Sequence, residues 1–144
     1  MIIISGCSDS EMKSSSRDIF AMDTYMNIKA YGENSEKAVN ESADEIKRLE
    51  NLFSVTDSES DIYKINHSES AEVNSDTAEI ISKALEICKS TDGSLDITIY
   101  PLVKLWGFTS GEYRIPDNSE IQNCLENVGY ENINISGNCI SVPQ

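Results

Sequence analysis

Two amphipathic patterns at helical spacing constrain this chain more than any other feature. Apolar residues recur at three- and four-residue steps from Val39 to Phe53, which predicts a helix over about Glu36–Phe53. A second stripe that ends at Cys88 predicts another helix over about Asp76–Lys89. Each helix has one apolar face, so each must pack against a sheet or another helix.

The expected ends of the second helix follow from residue type. Asp76 and Glu79 have the spacing of a capping box at its start. Thr91-Asp92-Gly93 ends the pattern, and Gly93 is expected at the left-handed position just after the helix.

Strand-like segments surround these helices, and the fold class predicted is α+β, a mixed sheet flanked by about three helices. Alternation of apolar and polar residues is clearest from Tyr25 onward in the first strand and across the final hairpin. The other predicted elements are strands at Ile19–Tyr31, at Leu95–Tyr100 and around Ile133 and Ile140, short elements at Asp61–Asn66 and Glu72–Asn74, and a third helix at about Ser119–Asn127.

The charge balance excludes one class of partner. The chain has 11 Lys and Arg against 25 Asp and Glu, a formal net charge of −14. A nucleic-acid-binding domain needs a cationic face that displaces phosphate counterions, and the scattered basic residues form none. We therefore expect no nucleic-acid partner.

The N-terminal residues resemble the end of an export signal. Ile4-Ser5-Gly6-Cys7 is similar to the bacterial lipoprotein cleavage box, in which Cys7 would carry a lipid. The polar residues from Ser8 to Arg17 suit a flexible tether. Residues 1–18 are thus assigned to a remnant lipoprotein signal and tether, and residues 19–144 to the folded domain. An apolar terminus with an incidental cysteine is the alternative.

Several kinds of active site are not supported. The seven glycines form no phosphate-binding loop, and no cysteine pair has C-x-x-C spacing. His67 is the only histidine of these 144 residues, which excludes, within this chain, any mechanism that needs two. Cys124 and Cys139 are free or form a disulfide, Trp106 is a core residue or a ligand-stacking one, and the loop at 54–60 is a binding loop or a polar connector.

Three stretches together carry a resemblance to a known family. In the third, a T-x-G-x-x-D-x-T pattern runs into P-L-V-x-L-W-G-F, a combination that chance seldom produces. The stretches are Met22-Asp23-Thr24, residues 49–62 and residues 91–108. With the tail Val128-Gly129-Tyr130, the chain resembles the N-terminal half of the FAD:protein FMN transferases, the ApbE family.

The resemblance implies an activity. Members of this family split FAD and transfer its FMN half to a threonine hydroxyl of an acceptor protein, with Mg²⁺ as cofactor. It implies an enzyme outside the cytoplasm, anchored to the bacterial membrane by a lipid on Cys7. A lipid-anchored flavin-binding protein without transfer activity is the alternative, and a lipoprotein that binds no flavin is a third reading.

The resemblance also implies binding residues. Met22, Thr56, Ser94, Leu95 and Asp96 would contact FAD, and no catalytic residue is identified. Three of these positions differ from the common family residues, since the family often has Tyr where Thr56 stands and Ala-Phe where Ser94 and Leu95 stand.

Asp96 has a second interpretation, a carboxylate that caps a turn at the end of a strand. The family's lysine and metal-ligand segments, which follow an Asp-Leu-Gly-Gly motif, are absent from this sequence. We therefore expect weak transfer activity or none from these residues alone.

Overall fold

A computed structural model describes residues 12–142, and these residues form two compact units that divide between Glu50 and Asn51. The α+β class is confirmed, but the pairing in both observed sheets is antiparallel, where one mixed sheet was expected. The elements are β1 (Ser14–Ala21), β2 (Thr24–Tyr31), α1 (Ser35–Phe53), α2 (Asp61–Asn66), β3 (Ser70–Glu72), α3 (Ser75–Ser90), α4 (Tyr100–Leu105), α5 (Asn118–Leu125), a 3₁₀ turn (Tyr130–Asn132), β4 (Asn134–Ser136) and β5 (Cys139–Ser141).

The first unit contains a hairpin where the sequence predicted one strand. β1 and β2 pair along their whole length, from Ser14 opposite Tyr31 to Ala21 opposite Thr24. Residues 14–18, assigned above to the signal and tether, lie in β1 and are paired. The expectation of a single strand was wrong because residues 22–23 reverse the chain without glycine or proline, the usual signals of a turn.

The hairpin buries one face against α1. Ile19 and Ala21 are buried together with Ala43 of α1. Met26 and Ile28 of β2 pack against this cluster. The first unit therefore has its own small core, made of alternate strand residues and one helix stripe.

The second unit packs α2 and α3 on a three-stranded sheet of order β3-β5-β4. The predicted hairpin of β4 and β5 is confirmed, with Ile135 opposite Ile140. The core members, from both helices, the sheet and the segment that joins β3 to α3, are Ile65, Ala71, Val73, Ala78, Ile81 and Ile140.

Both ends of α3 differ in detail from the sequence prediction. Asn74 is the N-cap, and its side chain accepts a hydrogen bond from the backbone N–H of Asp76, so the expected capping box is absent here. At the other end Asp92, with φ +51°, occupies the left-handed position expected for Gly93. Gly93 follows with φ +74° and donates its N–H to the carbonyl of Cys88, the hydrogen bond of a Schellman motif.

The strand predicted at Leu95–Tyr100 does not form. Residues 95–99 are irregular, and α4 begins at Tyr100. Asp96 accepts a hydrogen bond from the backbone N–H of Thr98, and such local bonds replace a strand ladder.

Candidate functional site

An apolar cavity of about 490 Å³ lies in the second unit. Cavities of roughly 300–1,000 Å³ are the usual size of small-molecule sites. Most of its wall is aliphatic, and Asn66, Thr98 and Asn127 bring polar side chains to it. This combination suits a ligand with a large apolar part and a few hydrogen-bonding groups.

Asp96 and Thr98 form a hydrogen-bond network beside this cavity. Asp96 Oδ1 accepts from the backbone N–H of Thr98 at 2.8 Å and from its hydroxyl at 2.6 Å. Asp96 Oδ2 accepts from the N–H of Tyr130 at 3.1 Å, and the Thr98 hydroxyl oxygen accepts from the N–H of Gly129 at 2.7 Å. The network ties residues 96–98 to the turn at 129–130.

The electrostatics of Asp96 follow from this network. Partial burial acts to raise the pKa of its carboxyl group. Hydrogen bonds from Thr98 and Tyr130 favour the carboxylate more strongly in sum, and the pKa lies below its usual value of 3.8. Asp96 is therefore ionised at neutral pH and unsuited to act as a general acid there.

Ser94 and Leu95 precede this network and are exposed. The N–H of Leu95 donates to the Thr91 hydroxyl at 3.3 Å, and Thr91 in turn caps the end of α3. All four residues of the T-x-G-x-x-D-x-T pattern therefore shape this turn, through a cap, a left-handed glycine and the carboxylate network. Such a turn can present Ser94 and Leu95 to a ligand.

Thr56 lies in an ordered loop of hydroxyl side chains. The Ser54 hydroxyl oxygen accepts from the N–H groups of Thr56 at 3.2 Å and Asp57 at 3.1 Å. Ser60 closes the loop, since its hydroxyl donates to the carbonyl of Ser54. The same hydroxyl oxygen caps α2 by accepting from the N–H of Tyr63. The loop is therefore a defined turn, and the Thr56 side chain is exposed on it.

Met22 belongs to the first unit, at the tip of the β1–β2 hairpin. Met22 and Asp23 are the two turn residues, with φ +52° and +53°. The N–H of Met22 donates to Glu50 Oε1 at 2.6 Å, and the Met22 side chain is 42% exposed.

The structure brings four of the five proposed FAD contacts into one unit. Val55 and Ile97 line the cavity, and they are the direct chain neighbours of Thr56 and Asp96. The loop of Thr56 and the turn of Ser94–Asp96 therefore both adjoin the cavity wall. Cys7 lies outside the described residues.

Sequence reasoning missed three residues of these sites. Thr98 and Glu50 sit inside the quoted motifs but were assigned no role, although Thr98 follows Asp96 at the i+2 spacing of side-chain-to-backbone bonds. Asn127 lies between α5 and the 129–130 turn, and nothing in the sequence marked it.

The cysteines, His67 and Trp106 were the other residues for which an expectation was drawn from the sequence. Cys88 is buried as predicted, while Cys124 and Cys139 are free and form no disulfide. His67 is exposed at the end of α2, as expected of a surface residue, and stacks on Tyr63 with ring centroids 3.9 Å apart. Trp106 is partly buried.

No group of three or more Asp, Glu, His or Cys side chains that could hold a metal ion occurs within residues 12–142. Both oxygens of Asp96 already accept hydrogen bonds from neighbours. The described residues therefore do not fit a Mg²⁺ cage. Over the same range no helix has the length and apolar character to cross a membrane.

Comparison with curated proteins gives relatives with one shared name. The chain is 34% identical over 89 residues to a protein of Salmonella typhimurium named FAD:protein FMN transferase, an alignment of 58% of this chain and 25% of that protein. It is 29% identical over 102 residues to a protein of Vibrio cholerae with the same name, over 67% of this chain and 30% of that protein. The chain thus spans less than a third of the length of these curated relatives.

Solved structures share the fold. The crystal structure of the ApbE protein from Thermotoga maritima matches with a TM-score of 0.83 and 30% identity, over 90% of this chain and 45% of that one. The flavin transferase ApbE from Vibrio cholerae matches with a TM-score of 0.79 and 26% identity, over 91% and 45%. The sequence model of the ApbE family matches residues 22–143, and the chain belongs to this family.

Proposed function

We propose that this chain serves as the FAD-binding part of a FAD:protein FMN transferase. The observation that carries the proposal is the family match over residues 22–143, because it spans every proposed FAD contact. Relatives from two organisms carry the transferase name.

The geometry of the second unit supports FAD as the ligand. FAD joins a large planar flavin to a diphosphate and an adenosine, so its site needs apolar wall and hydrogen-bond donors together. The 490 Å³ cavity supplies aliphatic wall. The exposed turn at Ser94 and the loop at Thr56 supply hydroxyl groups on segments that adjoin the cavity wall. Backbone and hydroxyl donors suit a diphosphate on a chain whose net charge is −14.

The proposed reaction is a phosphoryl transfer. The hydroxyl oxygen of an acceptor threonine forms a bond to the phosphorus of the FMN half, the bond from that phosphorus to the AMP oxygen breaks, and the hydroxyl proton leaves to solvent or a base. The products are a protein carrying FMN and free AMP. We assign no step of this reaction to Mg²⁺ in this chain, because the described residues offer no cluster for it.

Calorimetric titration of the 144-residue chain with FAD tests the proposal. We expect micromolar binding, and weaker binding of FMN and of AMP, because each is half of the ligand. Asp96→Ala should lose most of the affinity, whereas Asp18→Ala, which removes an exposed carboxylate in the hairpin, should keep it. Absence of FAD binding by the folded chain would overturn the proposal.

A product assay separates transfer from storage. The chain is incubated with FAD, MgCl₂ and a protein that presents a threonine, and AMP is measured by chromatography while bound FMN is measured by mass spectrometry. AMP together with flavinylated acceptor establishes transfer. FAD binding without AMP limits the chain to holding FAD and supports the flavin-binding alternative.

We also propose that the protein works outside the cytoplasm with a lipid on Cys7. The pattern Ile4-Ser5-Gly6-Cys7 supports this proposal. Expression in a bacterium followed by membrane fractionation tests it. Cys7→Ala should move the protein to the soluble fraction, and the control Cys139→Ala, at an exposed free cysteine, should leave it with the membrane.

A further inference from the structure

The tip of the β1–β2 hairpin breaks a local rule. Its connection has two residues, Met22 and Asp23, and both have positive φ, +52° and +53°. Two-residue turns of this kind strongly favour Asn, Asp and Gly. Asp23 fits that preference, but a methionine in the left-handed region carries a steric cost that glycine would avoid.

Glu50 also departs from a local preference, that of helix ends. It lies in the last turn of α1, where the helix dipole favours cations, and no basic residue occupies that turn. The two disfavoured residues meet in one hydrogen bond, from the N–H of Met22 to Glu50 Oε1 at 2.6 Å.

This hydrogen bond uses a free donor of the turn. In a two-residue hairpin the strand residues on either side complete the ladder, and the N–H of the first turn residue has no partner within it. A carboxylate makes a stronger acceptor than a neutral group. Glu50 can therefore hold Met22 in a conformation that its own side chain disfavours.

We propose that Glu50 is a positioning residue, which fixes the turn so that the Met22 side chain is presented to the flavin nucleotide. The inference rests on the proposed function, in which Met22 contacts FAD. Departures from local preference gather at functional sites, and here two of them depend on one contact. A glycine at position 22 would avoid the steric cost of positive φ. The presence of methionine there therefore indicates a functional role for its side chain.

The test compares Glu50→Ala and Glu50→Gln with the unmodified chain. The matched control is Glu41→Ala, which removes an exposed carboxylate from the same helix. Amide NMR without ligand reports the Met22 N–H, and FAD titration reports affinity at a temperature where circular dichroism shows every variant folded. If Glu50→Ala fails to fold, Glu50→Met replaces it, because methionine keeps most of the side-chain length without an acceptor oxygen and the same losses are expected. Glu50→Gln keeps an acceptor oxygen without the charge.

We expect Glu50→Ala to move the Met22 amide resonance upfield, speed its hydrogen exchange and weaken FAD binding about tenfold, the loss of one charge-assisted hydrogen bond. Glu50→Gln should recover most of the affinity, and Glu41→Ala should match the unmodified chain. An unchanged Met22 resonance, or unchanged affinity in folded Glu50→Ala, overturns the positioning role and leaves the proposed function intact. If the unmodified chain binds no FAD, the proposed function and the positioning role both fail. The failure of the proposed function can therefore be told apart from the failure of the positioning role alone.

Discussion

The hairpin tip at Met22 and the turn at residues 92–98 solve the same backbone problem in different ways. Each has a non-glycine residue with positive φ, Met22 at +52° and Asp92 at +51°. In the hairpin one side chain, that of Glu50, bonds to the turn residue. In the 92–98 turn the Schellman bonds of α3, the Thr91 cap and the carboxylate of Asp96 share the task.

The two turns differ in the number of contacts that hold the backbone in its conformation. The turn at 92–98 is held by overlapping local bonds and two bonds to residues 129–130, so its conformation depends on many partners. The hairpin tip depends on one side-chain acceptor, the partly buried Glu50. We therefore expect substitutions in the second unit to change stability most, and substitutions at the hairpin tip to change ligand affinity with small effects on stability.

The largest effect is expected for Asp96→Ala. It removes the acceptor of three hydrogen bonds, from the Thr98 N–H, the Thr98 hydroxyl and the Tyr130 N–H. We expect a loss of roughly 2–4 kcal/mol in the free energy of unfolding, since partly buried donors lose their partner. Urea unfolding followed by circular dichroism measures it.

Asp96→Asn is the control for that loss. Its amide oxygen can still accept both bonds from Thr98, while its NH₂ group faces the Tyr130 N–H and cannot accept from it. The loss should be about half that of Asp96→Ala. Equal losses would show that charge, rather than the number of accepted bonds, sets the stability of this turn.

These networks also explain which elements the sequence could predict. α1 and α3 were predicted to within a residue at most ends because their apolar stripes alone set the period. Leu95–Tyr100 alternates like a strand, but Asp96 and Thr98 bond to the local backbone and to residues more than 30 positions away, which no local pattern encodes.

The hairpin was not predicted, for the opposite reason: a turn forms where no local pattern indicated one. Its first turn residue, Met22, is a poor turn former, and Asp23 alone, without a neighbouring glycine, proline or asparagine, did not mark a turn in a segment of strand-like composition. Position 22 was identified by family resemblance alone, and its partner Glu50, 28 residues later, could be found only from coordinates.

Thr98→Val gives the second largest effect. It keeps the side-chain shape and removes a hydroxyl that donates to Asp96 Oδ1 and accepts from the Gly129 N–H. We expect a loss of about 1–2 kcal/mol, with faster hydrogen exchange at Gly129 and Tyr130. Thr98→Ser, which keeps the hydroxyl, should lose less. Unchanged exchange at Gly129 in Thr98→Val would mean that the turn at 129–130 is held by other contacts.

Met22→Gly should have a smaller effect of opposite sign on stability. Glycine adopts φ +52° without steric cost, so the hairpin should gain about 0.5–1 kcal/mol despite the entropy of glycine. FAD affinity should fall because the side chain is gone. Met22→Ala is the control, since it loses the same side-chain contact but keeps the penalty. A Met22→Gly chain that binds FAD as tightly as the unmodified one would remove Met22 from the site.

Lowering the pH should produce the smallest difference in stability between the hairpin and the turn at residues 92–98. Hydrogen bonds from Asn27 and then Tyr25 lower the pKa of Asp18 in the hairpin, but this carboxylate is fully exposed, so water and salt screen the benefit. The pKa of Asp96 is lowered although partial burial opposes it. A carboxyl group whose folded pKa is depressed stabilises the fold above its unfolded pKa of about 4 and loses that contribution as pH falls through the folded value.

Hydrogen exchange between pH 5 and pH 3 should therefore show opening at Thr98 and Tyr130 before opening in β1 and β2, once rates are corrected for intrinsic pH dependence. In Asp96→Asn the difference between the regions should disappear, because position 96 no longer titrates. Opening of the hairpin first would contradict the ranking, since it would mean that the exposed Asp18 bonds contribute more to stability than the partly buried network of Asp96.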